Sequence, residues 1–198
     1  VLAYIPAGHP AAAGAPAGTW RSLDKASRFP KADYHHIMSV AHQGKIWSFG
    51  GHAGGFAPTD TVYVFTPKSA ASPEGSWSMV RVSDGKPCNP ATETCLKLPE
   101  PRSAGTAVSL SGGGAALPAT LPLTLGGNRI YVIGGVVPNT GAGDPVNASI
   151  RSTASVIALD TGKYPLAWEN APPLREPREH FNAAVVDGRI WVFHGRSE

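Results

Sequence analysis

The chain has 198 residues and a formal net charge of +3, with 42% hydrophobic and 16% charged residues, 23 Gly and 19 Pro. No apolar run approaches the roughly 18 residues that cross a membrane as a helix, and lysine and arginine are scattered with no basic block, which argues against nucleic acid as a partner. So much Gly and Pro works against long helices and favours many turns, so the chain is read as all-β.

In chain order, "VLAYI" at the start has strand character, "PAGHPAAAGAPAG" is a low-complexity connector, and "GTWRSL" (Gly18 to Leu23) is a strand bearing Trp20. Next come "IMSVA" (Ile37 to Ala41), a small-residue turn, and "GKIWSFGG" (Gly44 to Gly51). "DTVYVFTP" (Asp60 to Pro67) and "GSWSMV" (Gly75 to Val80) follow, rich in β-branched and aromatic residues. The same order then returns. "GTAVSL" (Gly105 to Leu110) precedes "NRIYVIGG" (Asn128 to Gly135), then "ASVIALD" (Ala154 to Asp160) and "LAWENA" (Leu166 to Ala171). A third round begins with "NAAVV" (Asn182 to Val186), the tight-turn pair Asp187-Gly188, and "GRIWVFHG" (Gly188 to Gly195).

In register, Ile46, Ile130 and Ile190 coincide, as do Trp47, Tyr131 and Trp191, and Phe49, Ile133 and Phe193. Each unit therefore reads as four antiparallel strands, a to d, with a hairpin at a–b and a Trp in d. Such a sheet cannot bury both faces alone and must stack on neighbours, as the blades of a propeller do. The glycine doublets Gly50-Gly51 and Gly134-Gly135, the upstream aromatics, the d-strand residues Trp20, Trp77 and Trp168, and the Pro-Arg lead-ins at Pro101-Arg102 and Pro177-Arg178 together resemble the kelch repeat. The last unit departs with His194-Gly195 for the doublet, and the first with "ADYHH" for Pro-Arg.

The resemblance implies a kelch-type β-propeller of about three blade equivalents, an open segment of a six- or seven-bladed ring. Residues 1–23 are strands c and d of a first blade, and 34–80 form a second. Residues 101–171 form a third with an insertion at 111–127, and 178–198 are strands a and b of a fourth. The Trp77 to Trp168 interval exceeds the usual unit by roughly 30 to 40 residues, which that insertion and a cysteine-bearing loop absorb. Three blades leave two apolar faces open. The expected partner is the remainder of the propeller, as further polypeptide, or a second copy placed head to tail. The absence of an initial Met fits a processed chain or a fragment.

Cys88 and Cys95 lie in "PCNPATETC", a compact loop that a disulfide could close or that could hold two free thiols; no His stands beside them to complete a zinc site. Asn147 in "NAS" is an N-glycosylation acceptor pattern. Together they favour a secreted, extracellular protein. His36 and His180 occupy equivalent positions, each eleven residues before its aromatic, near the start of strand a. They read as metal ligands or a proton-transferring pair, or else as repeat-encoded residues that satisfy backbone groups where blades meet. His35 and His42 are set aside because neighbouring strand residues face opposite ways. Arg102 and Arg178 read as anion-holding side chains or as structural ones. No metal set or cofactor is expected, and no catalytic set is identifiable. Function is expected to be noncatalytic binding of protein or glycan, or extracellular assembly. The alternative implied by the resemblance is a fragment of a copper-radical oxidase or sugar epimerase of the kelch-like kind, and a third is an intracellular adaptor.

Overall fold

A computed structural model describes residues 2–6, 18–54, 57–69, 72–110, 128–139 and 150–197. The insertion at 111–127 and Asn147 lie outside the described residues. Among the described residues every long element is a strand, one short 3-10 turn (Lys25–Ser27) intervenes, and no helix is long and apolar enough to cross a membrane.

The first ribbon pairs β1 (Leu2–Ile5) with β2 (Thr19–Ser22) in antiparallel register, Tyr4 opposite Trp20. Two short strands follow in the next unit, β3 (Tyr34–His35) and, further on, β6 (His52–Ala53), which pair with each other. Between and after them lie β4 (Met38–His42), β5 (Lys45–Phe49), β7 (Thr59–Ser69) and β8 (Ser72–Val80), hydrogen-bonded in that order. Two additions widen this sheet: β9 (Pro87–Cys88) on β8 and β10 (Lys97–Arg102) on β7. The second sheet runs β11 (Thr106–Leu110), β12 (Arg129–Ile133), β15 (Val156–Asp160) and β16 (Trp168–Ala171), all antiparallel. A side pair, β13 (Val136–Pro138) with β14 (Ile150–Ser152), stands between its second and third strands. The last ribbon is β17 (Asn182–Val186) with β18 (Arg189–Phe193).

The sheets stack face to face, and the period-2 alternation of their strands decides which core each residue enters. On β12, Ile130 and Val132 pack with Trp47, Phe49, Val62 and Val64 of the preceding sheet. Tyr131 and Ile133 point the other way and pack with Val108, Val156 and Phe181, against which Ile190 and Val192 of β18 lie. Both faces of the second sheet are therefore covered, which is why "RIYVI" reads as an unbroken apolar run. Strands β4, β11 and β17, the first of each unit, lie side by side.

The d-strand tryptophans also bond across units. Trp77 donates from Nε1 to the Ser27 carbonyl at 3.1 Å, and Trp168 from Nε1 to the Lys97 carbonyl at 2.7 Å. Each acceptor sits in the connector that follows the preceding unit's d strand, so one indole both fills apolar space and pins two units together. The Ser27 turn is itself fixed: Asp24 accepts from the Ser27 amide and hydroxyl, and Gly75 donates its N–H to Ser27 Oγ at 2.9 Å. Trp20 departs from this pattern. It is 65% exposed and touches Tyr4, because among the described residues no sheet lies over the β1–β2 ribbon. The expected cysteine-bearing loop carries the short strand β9, and Cys88 and Cys95 form a disulfide within it.

Candidate functional site

Just before strand a, each unit turns through a left-handed residue: His36 (φ 55°), Ala104 (φ 55°) and His180 (φ 49°). Their main chains are linked in series. The Ala104 amide donates to the His36 carbonyl at 3.0 Å, and the His180 amide to the Ala104 carbonyl at 2.8 Å. The residue before each of these three pairs with the residue that follows the doublet of its own unit. These pairs are His35 with His52, Ser103 with Val136, and Glu179 with Arg196. Three repeat positions thus converge at the end of the sheets where the b–c and d–a connections emerge. The first unit fills all three with histidine.

Alternation would send His35 and His36 to opposite faces. The left-handed backbone at His36 breaks it, so the two rings meet, with Nδ1 to Nδ1 at 2.5 Å. His52, as the cross-strand partner of His35, brings its ring centre to 5.0 Å from that of His35 and 5.1 Å from that of His36. One ring nitrogen from each of His35, His36 and His52 lies within 4.8 Å of the others, a grouping that can hold a metal ion. His180 joins from the third unit, its ring 4.9 Å from that of His36. Ala104, which lies between them in the series, carries only a methyl group and leaves that approach open. Glu179, 3% exposed, has its Oε2 3.2 Å from His180 Nδ1 and also engages Arg196.

Burial pulls the pKa of His52 down to about 4, helped by the repulsion that a second charge in the cluster of His36, His35 and His180 would bring, with Glu179 opposing. His36 is lowered for the same reasons in the order burial, His180, His35, with Glu179 again opposing. Both are therefore neutral at physiological pH, which is the form of imidazole that ligates a cation.

The two arginines do other work. Arg102 is 1% exposed. Its Nη1 donates to the carbonyls of Gly134 (3.3 Å) and Ser155 (2.9 Å), and its Nη2 to Ser155 Oγ (3.1 Å) and Glu100 (2.7 Å). Its own carbonyl accepts from the Gly51 amide of the preceding unit at 2.9 Å. The side chain is engaged by the protein's own backbone and by Glu100 and Ser155, as the structural one of its two readings expects. Arg178 repeats the arrangement: its carbonyl accepts from Gly135 at 2.8 Å and its Nη1 bonds the His194 carbonyl, but its side chain is 32% exposed. Gly50 has φ 55°, and a Cβ there would stand 1.9 Å from the Arg102 carbonyl. His194, at the same place in the last unit, keeps the left-handed backbone at φ 65°.

Sequence reasoning therefore places His36 and His180 together but misses His35, His52 and Glu179. The signal for His52 and Arg196 is their shared position directly after the doublet.

Stacked four-stranded antiparallel sheets with their first strands side by side define an all-β, β-propeller-like fold. The chain is similar in fold to the solved structure of YjhT, with a TM-score of 0.56 and 13% sequence identity over 90% of this chain and 42% of that one. It thus spans under half the length of that protein. No family model and no curated protein matches the sequence.

Proposed function

We propose that the chain is a sector of a kelch-type β-propeller that acts as a noncatalytic binding or assembly module outside the cell, its ring completed by further polypeptide or a second copy. A difference in exposure between equivalent positions carries this reading. At Trp47, Tyr131 and Trp191 the exposures are 7%, 2% and 55%, and at Phe49, Ile133 and Phe193 they are 0%, 2% and 44%. In the first two units these side chains are covered by the following sheet; in the third they wait for one. Leu2, Tyr4 and Trp20 present a second apolar face, at 66%, 52% and 65% exposure. Apolar surface of this kind marks an interface. A cavity of about 360 Å³ beside Arg178, Phe193 and His194 lies along the same edge. The disulfide supports an oxidising compartment, and the binding surface is assigned to the end where the connections converge.

Sedimentation velocity tests this. The chain is expected to associate at micromolar concentration, while Trp191→Lys with Phe193→Lys removes association and leaves the β circular-dichroism signal intact. If a longer polypeptide closes the ring, that longer product runs as a monomer and the same two substitutions destabilise it. A stable 20.6 kDa monomer at high concentration, unchanged by the double substitution, overturns the proposal.

A further inference from the structure

The convergence of His35, His36 and His52 supports more than a surface for partners. We propose that these three histidines, with His180 as a fourth donor, form a binding site for a divalent first-row transition ion of the zinc class. Three imidazole nitrogens already lie within 4.8 Å of one another. In a tetrahedral centre with metal–nitrogen bonds of about 2.0–2.1 Å, ligand nitrogens stand about 3.3 Å apart. The 2.5 Å between His35 Nδ1 and His36 Nδ1 brings two ring nitrogens closer than that spacing, so a cation between them needs the rings to part by less than an ångström. The third nitrogen needs only a modest approach.

The backbone fixes these rings with little freedom. His35 and His52 are registered opposite each other on paired strands, and His36 is turned toward them by its left-handed φ. His180 adds the arrangement that accompanies metal-bound histidine elsewhere, a carboxylate on the far ring nitrogen. Glu179 Oε2 stands 3.2 Å from His180 Nδ1, where a carboxylate favours the proton on Nδ1 and leaves Nε2 for the ion. Glu179 is held in turn by Arg196, so its orientation does not depend on the ion.

The donor chemistry selects the ion. An all-imidazole set suits zinc, copper or nickel, and offers little to magnesium or calcium, which take oxygen ligands. Two units supply the donors: three come from the first and one from the third, over the small Ala104. An ion held there ties the first and third units together across the second.

The test is calorimetric titration of the full chain, first stripped with a chelator, with Zn²⁺, and with Mg²⁺ as the control. One-to-one Zn²⁺ binding is expected, reversed by chelator and absent for Mg²⁺. His36→Gly suits the left-handed backbone and removes one donor without strain; it is expected to weaken Zn²⁺ binding at least tenfold, as is His35→Ala. Glu179→Gln removes no donor and keeps the side chain's shape; because it withdraws the carboxylate beside His180, a loss of roughly 10- to 100-fold is expected. Because His52 is buried, His52→Ala is read together with its circular dichroism, and the part-exposed His35 and His36 decide the matter if it unfolds. Unchanged Zn²⁺ affinity in both His36→Gly and His35→Ala, or equal binding of Mg²⁺, overturns the assignment.

Discussion

Replacing Arg102 by alanine tests the claim that this side chain is part of the frame. The substitution deletes four hydrogen bonds, two of them to backbone carbonyls of the second sheet. Ser155 keeps the bond from the Gly134 amide at 2.9 Å, so its carbonyl is not wholly abandoned. The Gly134 carbonyl loses its arginine donor. A buried acceptor left without a partner costs about 1–3 kcal/mol, and the emptied volume adds to this. The expected loss is about 3–5 kcal/mol. Arg178→Ala is the internal control: the same repeat position, one carbonyl partner and a side chain 32% exposed, so about 1 kcal/mol is expected. Arg102→Met separates filling from bonding and should fall between the two. Urea unfolding at neutral pH, followed by tryptophan fluorescence with the slope held common, measures all three. If Arg102→Ala lies within about 1 kcal/mol of wild type, or costs no more than Arg178→Ala, the structural assignment is wrong and a ligand role for Arg102 returns.

Gly50→Ala, with its Cβ 1.9 Å from the Arg102 carbonyl, should cost more than ~3 kcal/mol, whereas Gly44→Ala, also left-handed but with nothing within 4 Å, should cost only ~1 kcal/mol; the same urea series ranks them. Stability should be flat above pH ~6.5 and fall between about pH 6.5 and 5 in chelator. The reason is that His36, His42 and His52 all have lowered pKa values when folded, so the unfolded chain binds protons first; for His52 the loss continues to about 4. A flat profile over that window would refute it, and His42→Gln should reduce the slope. Replacing Cys88 and Cys95 by serine opens a short loop and should lower stability by about 2–3 kcal/mol on loop-closure grounds, measured as a shift in urea midpoint.

The long strands are legible in the sequence because their residues alternate against one or two cores. "RIYVI", covered on both faces, shows as a run of apolar residues rather than as an alternation, and Asp187-Gly188 announces its hairpin. The short pairings are not legible. β9, β10 and β13 contain Pro87, Pro99, Pro101 and Pro138, and segments of two to six residues with proline give no periodic signal. The histidine site is half visible. Repeat register finds His36 and His180, but the alternation rule that finds strand faces discards His35, since it assumes extended backbone and His36 is left-handed. His52 is hidden because its meaning lies in pairing with a residue seventeen positions earlier. Trp20 misleads because the repeat grammar marks where an indole belongs and says nothing of whether a neighbour covers it.

The series of amide-to-carbonyl links through His36, Ala104 and His180 uses main-chain atoms only. What each unit displays at that rim is therefore not needed for joining the units. Copies of one module can keep their architecture while each acquires its own chemistry there: three imidazoles in one, a serine with two small apolar side chains in the next, an acid with a histidine and an arginine in the third. Diversification at such a rim disturbs little, since the scaffold asks of it only a tolerated backbone twist.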